Sequence, residues 1–465
     1  MNAPLIWILV PLLTSTVLFA FRKQVQLCAY LAGFISLFLA VLALVLPIGQ
    51  TINIGSFQFS LLSDLPVLGR KLVIASGDRP ILFLLFIMGA YWFFTGSMFK
   101  IRNIIVPVEL GLIGLLVAAL AVEPFIYAAL IIEIAVIVTI LILIDPGQTS
   151  RKGILRFLIF QTMGMPFILL AGWFLASGEI TPINEVQLTQ SSLLLGLGFA
   201  FWLGIFPLYT WIPMIAEEVK SLVSGYVFSM LSLPVFLFLL NFLNNYAWLR
   251  DFTVIYSAFR WLGAIMIFTG GLWSLFQQNI QKLFGFLVLI ANGLLFIALG
   301  IKGRMGMQIL TATLIPRLLS FALMSLSLTI INKDFSKMSF ESLAGLIWKK
   351  PFASVGILVS IFTVSGFPLL AGFPIVFHLA ILLSDFSIIS LILLTIGEVA
   401  LFMTGLKFLF ITVKRFKNME FTTEKTIERL VIFILILLLL MIGIVPSFFF
   451  ISISNILAKF TFLFE

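Results

Sequence analysis

Charge is what this chain of 465 residues has least of: Asp, Glu, Lys and Arg together make up 10% of it. A soluble globular chain is about 25% charged and roughly half apolar. Here 62% is apolar and the mean hydropathy is +1.22. So little polar surface leaves lipid, not water, as the solvent for most of the molecule. Histidine is nearly absent too, and the single His378 excludes haem or metal sites built from several imidazoles. The single Cys28 excludes an internal disulfide framework and a thiolate metal cluster. There is no cofactor motif, metal cluster or nucleophile arrangement, so no cofactor and no enzyme active site are expected in this chain. A net charge of +9 would suggest nucleic acid in a soluble protein. In a membrane chain the asymmetry of basic loops accounts for it, and no nucleic-acid partner is expected. The N-terminal MNAPLIWILVPLLTSTVLFAF has neither a positive start nor a small-residue cleavage site, and reads as a retained first span.

What is present is a succession of long apolar runs. They predict fourteen transmembrane helices, at about 4–21, 27–48, 80–99, 103–122, 125–144, 153–176, 191–213, 216–243, 253–278, 282–301, 305–331, 351–383, 386–413 and 429–452. The fold class is therefore an all-α polytopic membrane protein. The connection 49–79 alternates apolar and polar residues (TINIGSFQFSLLSD) and predicts a small extracytoplasmic hairpin. With both termini outside, the cytoplasmic loops collect Arg22, Lys23, Lys100, Arg102, Arg151, Lys152, Lys220, Lys282, Lys333, Lys337, Lys349, Lys350, Lys414, Arg415, Lys417, Lys425 and Arg429. The other side holds only Arg70, Lys71, Arg79, Arg250, Lys302, Arg304 and Lys459. That bias fixes the expected orientation in the cell membrane.

Two apolar spans carry matching breaks. FPLYTWIP places Pro207 and Pro213 in the seventh span, and FPLLAGFP places Pro368 and Pro374 in the twelfth. Proline inside a helix removes a hydrogen bond and clashes with the preceding turn. The two motifs are five spans apart, and an odd separation puts matching elements in opposite orientation, which predicts an inverted repeat of spans four to eight against nine to thirteen. Discontinuous helices of this kind line ion paths near the bilayer midplane. Ordinary proline kinks are the plainer alternative for either motif alone.

Several stretches resemble the antiporter-like membrane subunits of respiratory complex I and of Mrp-type cation/proton antiporters. FPLYTWIPMIAEEVKSLVS (206–224) resembles that family's P-L-x-x-W-L-P-D-A…P-T-P-V-S. QQNIQKLFGFLVLIANGLLFIALG (277–300) resembles its Q-x-D-I-K-x-x-L-A-Y-S-S-x-x-x-x-G. LAGLIWKKPFASVGILVSIFTVSGFPLLAGF (343–373) resembles its G-L-x-x-x-M-P…G-x-P-P-x-x-G-F, and LIIEIAVI around Glu133 fits its fifth helix. Residues from about 90 to 415 are covered. The resemblance implies fourteen helices with two inverted five-helix repeats and broken seventh and twelfth helices. It divides the chain into N-terminal helices (1–102), an antiporter-like core (103–414) and a C-terminal loop and helix (415–465). It also implies proton or sodium translocation along a central hydrophilic axis, in a lipid bilayer, beside other antiporter-like or redox-complex membrane subunits.

Along that axis the family uses a glutamate on helix five, lysine on helices seven and eleven, lysine or histidine on helix eight, and lysine or glutamate on helix twelve. Carried across position by position, the glutamate is Glu133, and the remaining four become Trp202, Arg317, Phe228 and Val376. The usual aspartate after W-L-P is Met214. A buried lysine can release its proton, whereas arginine keeps its own. Trp202, Phe228 and Val376 exchange none. Other intramembrane ionisable residues are candidates for the ion pathway by default. Glu109 can pair with Arg102 or Arg156. Arg260 and Lys407 can snorkel to an interface. Glu398 and Lys407 are nine residues apart on one span, so each needs a partner elsewhere. His378 lies two residues past the lost lysine of span twelve and is its only replacement nearby, although it sits about 200° away around the helix axis. Glu217, Glu218 and Lys220 form either a polar mouth or a solvated turn, and Lys282 reads as an interfacial anchor. Three functions follow: a subunit of a redox-driven pump or Mrp-like antiporter with a depleted lysine relay, a non-conducting scaffold of the same fold, or a freestanding secondary transporter.

Overall fold

The computed structural model describes all residues except 1, 55–56, 68, 148–150, 178–184, 335–337, 415–422, 448, 450–455 and 465. Lys337, Arg415, Lys417 and the last residues of the expected final span fall outside the described residues. Among the described residues, eleven helices are long and apolar enough to cross a membrane, or up to twelve when a bent pair is taken as one span. The chain is thus mostly helical and polytopic, and its lipid-facing positions carry exposed side chains such as Phe34, Phe38, Ile137, Leu155, Trp173 and Phe410. Two compact units divide it. The first is Met1–Leu203, Met230–Tyr246 and Ile456–Phe460; the second is Gly204–Ser229, Ala247–Asn455 and Thr461–Glu465.

The first unit holds α1 (Val10–Ala20), which continues a π-helical turn at Leu5–Leu9, then α2 (Val25–Val45), α3 (Arg79–Ser97), α4 (Ile105–Ala121), α5 (Ala128–Leu143), α6 (Lys152–Ser177), α7 (Glu185–Leu203) and α10 (Ser232–Asn245). Where one hairpin was expected between α2 and α3 there are two: β1 (Thr51–Ile54) with β2 (Phe57–Ser60), and β3 (Asp64–Val67) with β4 (Arg70–Val73). The short β5 (Val122–Glu123) joins β4 through Lys71 opposite Glu123. A crevice of about 670 Å³ beside them is lined by Arg70, Glu123, Asn241 and Asn245, with Lys459 paired to Asp78 at 2.9 Å.

The second unit holds α8 (Trp211–Glu218), α9 (Ser221–Tyr226), α11 (Ala247–Asp251), α12 (Thr253–Phe276), α13 (Ile280–Gly300), α14 (Arg304–Ile331), α15 (Leu346–Lys349), α16 (Pro351–Val364), α17 (Gly372–Phe386), α18 (Ile388–Val413) and α19 (Thr426–Ile444). Helix α13 is buried from Leu283 to Gly300. Small residues let backbones close on it and on α12. A Cβ on Gly263 would stand 2.6 Å from the Gly293 carbonyl oxygen, and one on Gly285 would stand 2.4 Å from Pro213 Cα. A Cβ on Gly271 would be 2.1 Å from the Gly397 carbonyl oxygen, which sets α12 directly against α18. Helix α19 ends at Ile444; Pro446, Ser447 and Phe449 are again helical, and the rest of the expected last span to 452 lies outside the described residues.

Both proline pairs mark breaks. Helix α7 ends at Leu203 and α8 opens at Trp211, with Pro207 between them and Pro213 in the first turn of α8. Helix α16 ends at Val364 and α17 opens at Gly372, with Pro368 between them and Pro374 in the first turn of α17. Each break begins with a glycine in the left-handed region, Gly204 at φ 63° and Gly366 at φ 66°. A side chain is unfavourable there. Proline in a first turn costs nothing, because that N–H has no intrahelical acceptor. The sequence therefore stops and restarts a helix at the same two places in each motif.

Candidate functional site

In the first unit the retained acid Glu133 is 8% exposed on α5, and its Oε1 accepts a hydrogen bond of 2.9 Å from Thr162 Oγ1 on α6. Its Oε2 has no hydrogen-bond partner, and no ion pair reaches it among the described residues. Trp202 stands where the resemblance puts a lysine, and it is turned away into α6. Its Nε1 donates to the Gln161 carbonyl oxygen at 2.7 Å, and Gln161 Nε2 donates to the Trp202 carbonyl oxygen at 3.0 Å. Gly164 makes room for the indole, since a Cβ there would stand 2.3 Å from Nε1. Phe199 and Phe238 close around the ring, with centroids 6.0 and 6.1 Å away. Glu109 is buried on α4. Of its two expected partners, Arg102 is bound to Asp145 at 3.5 Å and Arg156 lies exposed.

In the second unit Arg317 is 3% exposed on α14, just after the internal Pro316. Its Nη2 donates to Asn292 Oδ1 on α13 at 2.8 Å and to the Phe228 carbonyl oxygen at 3.4 Å. Phe228 belongs to a π-helical turn, Val227–Leu231, which follows α9. Such a turn breaks the usual i to i−4 pattern, so it can turn a carbonyl outward to the guanidinium. The Arg317 guanidinium also lies 4.7 Å from the ring centroid of Phe321. From there a ladder of aromatic rings runs Phe321, Phe284, Phe228, Trp211, with successive centroids 6.0, 5.5 and 6.4 Å apart. Beside Arg317 a void of about 20 Å³ is lined by Thr313, Ser320 and Thr363, together with Gly372 and Ile375 of α17. That is room for about one water molecule.

The remaining candidates are scattered. Val376 packs over the break, such that a Cβ on Gly366 would stand 2.8 Å from its own. His378 faces outward on α17, exposed, with Nδ1 2.6 Å from the Pro374 carbonyl oxygen. It therefore does not take the place of the missing lysine over the break. Arg260 donates to the Gly300 carbonyl oxygen at 2.6 Å and lies over Phe386. Lys407 caps the end of α12 through the Leu275 carbonyl oxygen at 3.0 Å. Lys282 does more than anchor an interface, because it pairs with Glu217 at 3.3 Å. Glu398 differs from expectation. It is 5% exposed, yet neither of its oxygens finds a hydrogen-bond partner among the described residues. Lys350, expected as a loop cation, is instead buried against Asp334 at 2.6 Å. Gln161, Thr162 and Asn292 were not singled out from sequence, although polar residues in the middle of apolar spans are themselves a signal.

Chemically, the two clusters hold an acid with a neutral hydrogen-bond donor, and a permanent cation with neutral acceptors. Neither couples two groups that can trade a proton. The architecture is that of a polytopic helical membrane protein with paired broken helices. The chain belongs to the NADH:quinone oxidoreductase/Mrp antiporter transmembrane family, whose pattern matches residues 157–404. It is 22% identical over 246 residues to NADH-quinone oxidoreductase subunit N of Ectopseudomonas mendocina, covering 49% of this chain and 49% of that protein. It is 24% identical over 271 residues to a Na(+)/H(+) antiporter subunit from Bacillus subtilis, covering 55% of each. The chain thus spans about half the length of the curated relatives it matches. In fold it is similar to a chain of the Mrp complex from Dietzia sp. DQ12-45-1b, with a TM-score of 0.83 at 11% identity, over 100% of this chain and 97% of that one.

Proposed function

We propose that this chain is a membrane subunit of a proton- or sodium-translocating complex of the complex I or Mrp antiporter type, in which the lysine relay is depleted. Family membership carries the first part of that reading. The count of fourteen spans is supported when the shorter apolar helices Leu5–Ala20 and Ile105–Ala121 join the eleven long ones, and Pro351–Val364 is read with the short helix Gly372–Phe386 as a single span interrupted at Pro368. The matched breaks at Pro207/Pro213 and Pro368/Pro374 support two inverted repeats. The basic loops favour a cell-membrane orientation with both termini outside. Other antiporter-like or redox-complex membrane subunits are its expected partners, and lipid its surroundings.

A second reading is favoured by one observation. Trp202 is locked to Gln161 by two hydrogen bonds and fills the space over Gly164. With Phe228 and Val376 also in place of ionisable groups, the geometry supports a subunit that scaffolds the complex and carries no ions along this axis. Two measurements test the pair of readings. Affinity purification of the chain from its native membranes is expected to bring down further antiporter-like membrane subunits. Recovery as a lone monomer would support a freestanding transporter instead. Proton flux of the reconstituted complex, followed with a proton-sensitive dye, is expected to be unchanged by Glu133→Gln. A tenfold loss of flux, about 1.4 kcal/mol in barrier, would show that Glu133 conducts and would sink the scaffold reading.

A further inference from the structure

Glu398 has no role in the arrangement described so far. The cations and acids on the helices packed against α18 are all occupied or turned away from it. Arg260 of α12 is bound to the Gly300 carbonyl oxygen, and Lys407 of α18 itself is bound to the Leu275 carbonyl oxygen. His378 and Asp385 of α17 and Lys349 of α15 are exposed, and α16 carries no ionisable side chain. A buried carboxylate with neither a counter-ion nor a hydrogen-bond donor is among the most unfavourable groups a protein core can hold. A buried carboxylic acid needs at least an acceptor for its O–H.

The position of Glu398 is defined by its helix. Residues four and seven positions apart share a face, so Glu398 lies in one stripe with Phe402 and Gly405. Phe402 stacks on Phe367 at 5.7 Å and lies 5.3 Å from Phe362. Gly405 abuts the same Phe362 ring, 2.5 Å from where a Cβ would be. The stripe therefore faces α16 and the break that follows it. Glu398 is one turn beyond Phe402, about 6 Å along the axis. That step runs toward the start of α17, because Gly405 meets Phe362 and Phe402 meets Phe367. Glu398 thus lies one turn past Phe402 on the stripe that faces the α16–α17 break. On its other side the way is closed: a Cβ on Gly397 would stand 2.4 Å from the Ile267 carbonyl oxygen of α12.

We propose that Glu398 is the carboxylate of a binding site for one small monovalent cation, a proton or a sodium ion, beside the α16–α17 break, with the ionisable group supplied by α18 instead of α17. The proposal rests on the antiporter-type reading of that break, and it does not require ions to cross the chain. It is tested on the purified full chain in lipid vesicles by infrared difference spectroscopy, comparing the parent with Glu398→Gln. A carboxyl band that titrates with pH alike in sodium and choline salts, and is missing from Glu398→Gln, assigns a proton. A carboxylate band that shifts with sodium but not choline, and is missing from Glu398→Gln, assigns sodium. Difference spectra that superimpose for parent and variant through both titrations overturn the site. Should Glu398→Gln fail to fold, the unmodified chain is treated with a hydrophobic carbodiimide, which adds to protonated carboxyls. Labelling of Glu398, read by mass spectrometry, is expected to rise on acidification, or to fall about tenfold when sodium is present at ~10 times its dissociation constant. Labelling indifferent to both pH and sodium overturns the proposal. Binding is read here without flux, so this result and the vesicle flux measurement can fail separately.

Discussion

Replacing Lys350 with methionine removes a buried cation that pairs with Asp334 and whose charge also acts on the buried Glu424. Lys350 is 1% exposed; its Nζ stands 2.6 Å from Asp334 Oδ2 and donates to the Ile330 carbonyl oxygen at 2.7 Å. Glu424, with its side chain fully buried, pairs with Arg429 at 3.6 Å and accepts from the Ala353 N–H at 2.8 Å. Burial pushes the Glu424 carboxyl above its ordinary range, while hydrogen bonds from Ala353 and Phe352 and the charges of Arg429 and Lys350 hold it down. At an effective dielectric constant of about 20, charges 2.6 Å apart attract by ~6 kcal/mol. Desolvation offsets part of this, and removing one partner of a buried pair costs about 3–5 kcal/mol in practice. Lys350→Met is therefore expected to destabilise the folded chain by that amount in a denaturation series in detergent. The pH dependence has a definite sign. A carboxyl raised on folding weakens the folded state as pH rises through its folded pKa, and relieves it as pH falls toward its ordinary value. Loss of Lys350 raises Glu424 further, so the deficit of Lys350→Met shrinks on acidification. A deficit under ~1 kcal/mol, the range of an exposed pair, or one constant between mildly alkaline and mildly acidic pH, would refute the reasoning.

Trp202→Ala is expected to cost about 3–5 kcal/mol through the cavity left beside Phe199 and Phe238, whereas Trp202→Phe keeps most of the volume and loses about 1 kcal/mol with its hydrogen bond; denaturation midpoints in detergent separate the two. Gly164→Ala, which drives a methyl into the same indole, should cost ~1–3 kcal/mol, and Trp202→Ala in the same chain should relieve most of it. Arg317→Ala strips the hydrogen bond to Asn292 and is expected to cost about 1.5–3 kcal/mol. Arg317→Lys keeps the charge but not the geometry of the fork, and should recover only part of that loss. Gly271→Ala, with its new carbon 2.1 Å from the Gly397 carbonyl oxygen, should force α12 away from α18 and lower thermal stability more than Gly196→Ala, where nothing lies within 4 Å.

The apolar runs and the two proline pairs were readable because membrane helices announce themselves by length and because proline and glycine act locally. Pro207 and Pro368 break a helix in company with Gly204 and Gly366, whereas Pro166 and Pro316 sit inside continuous helices. The positions of Trp202, Phe228 and Arg317 followed from motif spacing, and all three proved buried. Their partners did not follow. Whether an indole turns toward Glu133 or toward Gln161 depends on the space over Gly164, which is a property of two packed helices. The π-helical turn that brings the Phe228 carbonyl oxygen to Arg317 has no marker in VFSML. Lys350 read as a loop cation because it opens a span, and its burial against Asp334 emerges only once α14 and α16 are side by side. For His378 it was the identity that suggested a role, while its phase around α17, which leaves it exposed, is set by packing.

The ladder from Trp211 through Phe228 and Phe284 to Phe321 has an electrical meaning. In an energised membrane, every elementary charge that slips back dissipates about 2.3 kcal/mol per 100 mV. A part of such a machine that passes no current must still withstand the full voltage. These rings meet edge to face or tilted and offer no oxygen ligands to replace an ion's hydration shell, so on the proposed scaffold reading they would insulate the second unit. Were the chain to sit in such a complex, the dielectric strength of this seal would limit the leak through this chain.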